Sequence, residues 1–249
     1  MKWIKIYEDF DYIESICNGY NITNWKINSD GLVDVTGGVN ISSANLKKFP
    51  IKFGKVVGNF FCKKSNLDSL DGSPLTIEGS FDISYNKLTS LEGCPSFISG
   101  SLHCNDNELN SLKGCPEGCE YIDCSDNLLT SLEGAPSIID EFDCYGNKLT
   151  SFEGAPSVIT YNFDCDRNEI TSFKGFPKSV GTFNCFENPI YMIWTLFMDT
   201  DKIELFNEFD PIRGNDLILD RLNDFLITIG KEPVDDFYFY RDSKGYNII

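Results

Sequence analysis

Residues 122–136 read IDCSDNLLTSLEGAP, and twenty positions further on residues 142–156 read FDCYGNKLTSFEGAP. A phrase repeated at a fixed short interval marks a chain that folds by stacking copies of one unit, because each copy is too small to bury its own apolar side. Outward from this pair the phrase N-x-L-T-S-L-x-G-x-P recurs with a period of 20 or 21 residues, carried by Asn86, Asn107, Asn127, Asn147, Asn168 and Asn188. Counting back by the same period reaches Ser65 and Ala44, so eight units fit between about residue 38 and residue 194.

Four apolar ladders run through these units. Five positions before the asparagine stand Val39, Phe60, Phe81, Leu102, Ile122, Phe142, Phe163 and Phe183, and three before it stand Ile41, Cys62, Ile83, Cys104, Cys124, Cys144, Cys165 and Cys185. This alternation predicts a very short strand with one face buried. Two after the asparagine comes Leu or Ile (Leu46 to Ile190), and five after comes Leu or Phe (Phe49 to Phe173), both directed inward once the chain has turned. Glycines from Gly72 to Gly175 and prolines two residues beyond each punctuate the return segment, which therefore cannot be a regular helix.

The segment Φ-x-C-x-x-N-x-L resembles the conserved part of leucine-rich repeats, in the short twenty-residue form used by bacterial effectors. The resemblance covers about 150 residues, and the wording "LTSLEGAP" with "F-x-C-x-x-N" is also similar to repeat proteins of large tailed phages. It implies a parallel sheet with one strand per repeat, spaced about 4.8 Å apart, and a ladder of buried asparagines bonding neighbouring backbones. Asparagine suits that place because its amide both donates and accepts. Ala44 and Ser65 depart from the pattern, so the first two turns are expected to close differently, through Asn45 and Asn66.

The expected architecture is a β-rich solenoid over residues 38–194 with a non-helical return side. An α/β N-terminal cap occupies 1–37 and a helical C-terminal cap with an aromatic tail occupies 195–249. Trp3, Ile4, Tyr7, Phe10, Ile13 and Ile16 recur at helical spacing, and short strands are expected around Ser29-Asp30-Gly31. Near the other end, NDLILDRLNDFLITIG reads as an amphipathic helix capped by Asn215 or Asp216 and ended by Gly230. The tail DDFYFYRDSKGYNII reads as a strand or hairpin, dense in aromatics from Phe237 to Tyr240.

The formal net charge of −17 argues against direct nucleic-acid binding, which needs Lys and Arg against phosphate. No apolar run of membrane-spanning length occurs, and the N-terminus meets acidic residues too early for a signal peptide, so a cytoplasmic location is expected. In a reducing compartment the ten cysteines are free thiols that fill the core. Cys94, Cys115 and Cys119 lie off the main ladder, but no further pair completes a zinc site, and no metal or other cofactor is expected.

No phosphate-cradling motif occurs, and the single histidine, His103, has no serine or cysteine placed as its nucleophile, so no catalytic residues are assigned. Some effector relatives of the resembled family carry a cysteine-dependent ligase domain, yet no cysteine follows residue 194.

With the residues five and three before the asparagine facing inward, those six, four and two before it face outward, on what the resemblance makes the concave side. That surface is the candidate contact face: Asp82, His103, Tyr121, Asp123, Glu141, Asp143, Tyr145, Asp164, Asp166 and Phe186. Like charges on adjacent strands repel, so a partner protein with a basic surface is the expected occupant. A DNA-mimic inhibitor and a virion or assembly component are the other readings. Residues 38–66 hold six lysines and no acid, whereas 67–194 hold 20 acids against 6 bases, which leaves room for self-association.

Overall fold

The computed structural model describes residues 2–235 and 246–249. It is a parallel β-solenoid. The main sheet stacks Val39–Asn40, Phe60–Phe61, Phe81–Asp82, Ser101–His103, Tyr121–Asp123, Glu141–Asp143, Val158–Asp164 and Ser179–Asn184, each strand pairing in parallel with the next. The pairs are in register with the repeat, for example Phe60↔Phe81, Phe81↔Leu102 and Leu102↔Ile122. The residues five and three before the ladder asparagine are buried as expected, from Phe60 and Cys62 through to Cys185, with Phe183 in the last coil only partly covered.

A second parallel ladder runs up the return side, so the coil carries more than the single strand expected. Val33–Thr36, Phe53–Val57, Thr76–Ile77 and Phe97–Ile98 form one stretch of it, and Ile138–Ile139 continues it onto the first residues of the two longest strands. Its buried column is Val35, Val56, Ile77, Ile98, Ile139 and Ile159. In coils of 21 residues this column stands nine before the asparagine, and in coils of 20 it stands eight before, as for Ile139 in the coil of Asn147. The one-residue difference in coil length is thus absorbed between the two strands.

Every coil bends at one positive backbone φ, and the coils of Ser65 to Asn168 bend at a second. The residue just before the ladder position is left-handed throughout, at Ser43, Lys64, Tyr85, Asp106, Asp126, Gly146, Arg167 and Glu187. The glycine seven after the asparagine is the second bend. At Gly134 φ is 96°, and a Cβ there would lie 2.7 Å from the carbonyl carbon of Leu112 in the coil before. Only glycine satisfies both conditions.

The asparagine ladder is built as expected. Asn147 accepts the Leu129 N–H through Oδ1 at 2.9 Å and donates from Nδ2 to the carbonyls of Cys124 and Cys144, both at 3.0 Å. Asn86, Asn107, Asn127, Asn168 and Asn188 repeat the arrangement. The expectation for the first turns is corrected. Ser65 itself closes the turn, its hydroxyl donating to the carbonyls of Ile41 at 3.0 Å and Lys63 at 3.2 Å, while Asn45 and Asn66 take up left-handed backbone instead. A hydroxyl has one proton to share where an amide has two, and these coils lie at the end of the stack.

Helix α1 (Lys2–Gly19) and the antiparallel pair Trp25–Ile27 and Val33–Thr36 precede the coils. After them come α2 (Tyr191–Phe197), α3 (Ile203–Phe209) and α4 (Leu219–Thr228). Trp194 and Phe197 of α2 and Phe206 of α3 pack against Phe173, and Phe225 of α4 packs on Phe197 and Phe206, which covers the apolar end of the stack. The helix start expected at Asn215 or Asp216 is corrected. Asp216–Leu217 is a strand pairing with Ile212–Arg213 and with Asn247–Ile248, and α4 begins beyond it with Ile218 at its cap position, which has no side-chain acceptor. Leu217 is buried in that small sheet, not on the helix. Gly230 follows α4 at φ 75°, as expected of a helix end. The aromatic run Phe237 to Tyr240 lies outside the described residues.

Candidate binding face

The column four before the asparagine forms a straight row across the main sheet: Asp82↔His103↔Asp123↔Asp143↔Asp164↔Asn184 are direct neighbours. The sheet places three carboxylates, Asp123, Asp143 and Asp164, on consecutive strands.

These acids also hold the backbone. Where the strand ends, the N–H two residues on bends out of the ladder, and the side chain takes it up. Asp82 accepts from Ser84 N–H, Asp123 from Ser125, Asp143 from Tyr145 and Asp164 from Asp166, at 2.9 to 3.1 Å. Asn40 does the same for Ser42, so the position needs an acceptor oxygen and not a charge. Aspartate instead of asparagine in four of these places is a separate fact, and it concerns the face.

Charge balance differs along the row. Asp82 is the exception to the outward surface expected, since it is only 9% exposed, bonded by the Ser84 hydroxyl at 2.6 Å and 3.7 Å from the Lys63 ammonium. Asp123 accepts the Ser125 hydroxyl at 2.5 Å and lies 3.8 Å from His103 Nδ1. Burial pushes its carboxyl up, but His103 and the two Ser125 bonds prevail and hold it below its usual range. Asp143 has no such help. Burial, then the charges of Asp123, Asp164 and Asp126, push its carboxyl up to about 7 against the single Tyr145 N–H. Among the described residues no ion pair reaches Asp143 or Asp164; those formed run instead from Lys63, His103 and Arg167 to Asp82, Asp123 and Glu187.

Aromatic and acidic side chains flank the row. Tyr121 meets His103 edge-on with centroids 5.5 Å apart, Arg167 lies 5.3 Å over the Tyr145 ring, and Phe186 is 52% exposed against Tyr191. Glu141 is exposed on the strand of Asp143, and Asp166, two beyond Asp164, is pushed up by burial and by that neighbour. Asp106 and Asp126 join the same face although alternation from the strand leaves them out. Their left-handed backbone swings them back, so that Asp126 raises Asp143 and is itself raised by burial, Asp106 and Asp123. Nothing in an apolar–polar pattern signals that turn.

The lysine-rich first coils are less free than composition alone implies. Lys48 pairs with Asp71, Lys55 with Glu78 and Lys63 with Asp82, each in the following coil, and Lys64 lies over the Tyr85 ring.

The main-ladder thiols are core groups. Cys124, Cys144 and Cys165 donate to the carbonyls of Asp143, Asp164 and Asn184 at 3.0 to 3.4 Å, and burial drives all three thiols well up. All ten cysteines are free, and no group of three or more ligating side chains among the described residues could hold a metal ion. No helix among the described residues is long and apolar enough to cross a membrane.

No protein-family model, no curated protein and no solved structure matches this chain.

Proposed function

We propose that this chain is a non-catalytic protein-binding module that captures a partner bearing a basic surface on the outer face of its main sheet. The observation that supports it is the row Asp123–Asp143–Asp164, in which Asp143 and Asp164 stand side by side without a cation of their own among the described residues. Adjacent like charges on a sheet destabilise it, and the same hydrogen bond to the backbone is made by Asn40 without charge. A guanidinium or ammonium from a partner would neutralise the row. Tyr121, Tyr145 and Phe186 beside it offer the aromatic contact that interface hot spots favour.

We read the coil as a short leucine-rich repeat and the protein as a cytoplasmic, phage-encoded modulator of a host protein. The coil sequence Φ-x-C-x-x-N-x-L, its asparagine ladder and the repeated "LTSLEGAP" support that reading. Affinity capture followed by mass spectrometry, with wild type and with Asp123, Asp143, Asp164 and Asp166 all changed to Asn, tests it. The variant should lose the partner that wild type retains. Equal capture by both would remove this face from the function, and competition by DNA that weakens with salt would mark a DNA mimic in its place.

A further inference from the structure

We propose that Cys94, Cys115 and Cys119 form a thiol–disulfide site in which Cys94 of one coil becomes bonded to Cys115 or Cys119 of the next, the oxidant being a low-molecular-weight disulfide of the oxidised-glutathione class.

Three observations place these thiols together and apart from the other seven. They are the only cysteines that are partly exposed, the rest being buried. Their coils touch on both sides of them: a Cβ on Gly114 would meet the carbonyl of Leu91 at 2.5 Å, and one on Gly118 would lie 3.7 Å from the Phe97 ring. Cys94 and Cys115 sit between these two contacts in the same local turn, their N–H groups donating to Leu91 and Leu112. Equivalent positions one coil apart are separated by about 4.8 Å, within the Cα separations that a disulfide spans. Cys119 stands in the column of Ile98 in the coil before, diagonal to Cys94; its charge raises the proton affinity of Cys94, and Cys119 and Cys94 both raise that of Cys115.

The return side there also lacks a ladder strand. The second ladder has strands at Phe97–Ile98 and again at Ile138–Ile139, but residues 115–120 between them form none. A main-ladder thiol such as Cys144 is buried and already engaged, its N–H and its S–H both donating to the Asp164 carbonyl.

The exchange balances in two steps. A thiolate from the site attacks one sulfur of the small disulfide, forming a mixed disulfide and releasing one glutathione thiolate. The second protein thiolate then attacks the protein sulfur of that bond and releases the other glutathione. Two S–H bonds are lost from the protein, one S–S bond is gained, one S–S bond of the oxidant is reduced, and the two protons go to the two released thiolates. Burial keeps all three thiols protonated at neutral pH, so the reaction accelerates as pH rises.

The test is to hold the folded protein with oxidised glutathione at pH 8.5, quench with acid, unfold it in denaturant with an alkylating reagent that blocks the remaining thiols, and read intact mass and the peptide map. The result expected is two fewer alkylations than in the ten-thiol reduced protein, with the peptide of Cys94 linked to that of Cys115 or Cys119. Cys94→Ala should abolish the link and still fold, because Ala135 and Ala155 occupy its place in later coils; circular dichroism and a thermal melt check the fold. Retention of all ten alkylations, a Cys115–Cys119 link that leaves Cys94 free, or glutathione adducts that never resolve would each overturn the proposal.

Discussion

Asn147 spans two coils at once: its side-chain oxygen takes the Leu129 N–H while its nitrogen donates to Cys124 in the preceding coil and Cys144 in its own. An alanine at this place strands the buried Leu129 N–H, whereas the Cys124 and Cys144 carbonyls keep the bonds they accept from Asn127 and Asn168. A stranded buried group costs about 1–3 kcal/mol, so Asn147→Ala should lower the unfolding free energy by about 1–3 kcal/mol, measured by urea denaturation. Asn147→Asp should recover only the bond to Leu129, because a carboxylate cannot donate to the two carbonyls.

Gly134 supplies a second test of coil geometry. Its positive φ and the closeness of Leu112 make a methyl group unacceptable on both grounds. Gly134→Ala should destabilise by about 2–6 kcal/mol, the range for strained backbone added to core overpacking. A thermal melt against wild type reads it. In contrast, Gly19 has open space where its Cβ would be, and Gly19→Ala at the end of α1 should change stability by no more than about 1 kcal/mol.

Asp143 makes stability depend on pH in a predictable direction. The folded carboxyl holds its proton until about 7, whereas an unfolded chain releases it near the usual 3.8. Between these values the folded state binds more protons, so this group's contribution is full below the lower value and is lost as pH rises through the upper one. Asp123, held below its usual range, acts oppositely and loses its contribution only as pH falls through the acid range. Asp143→Asn should therefore stabilise the protein above pH 7 by on the order of 1 kcal/mol and flatten its profile between pH 5 and 7. Asp143→Ala, which removes the acceptor for Tyr145 N–H as well, should gain less or lose stability. Urea midpoints at pH 5 and pH 8 for the three proteins decide it.

The sequence makes the main strand, its inward columns and the asparagine ladder legible because coil length is constant from the strand to the glycine turn. It conceals the second ladder because Ile77 and Ile98 stand nine before their asparagines while Ile139 stands eight before, so a fixed-offset column drifts off register. Asp106 and Asp126 escape notice because a single left-handed residue reverses the strand's alternation. Asp82 looks like its neighbours in sequence, and only the closeness of Lys63 and Ser84 distinguishes it. Asn215 and Asp216 have the composition of a helix start, but the strand they enter is fixed by Asn247–Ile248, a partner some thirty residues away that no local signal announces.

The central claim is that the carboxylate row on the main sheet is the surface that meets a basic partner. The most direct measurement is the affinity of the captured partner, titrated at several salt concentrations, for wild type and for the protein with Asp123, Asp143, Asp164 and Asp166 changed to Asn. Asparagine preserves the backbone bonds, as Asn40 demonstrates in the first coil, so the fold should persist. The account predicts at least about a tenfold weaker affinity and a shallower dependence on salt in the variant. An unchanged affinity with an unchanged salt dependence would contradict it.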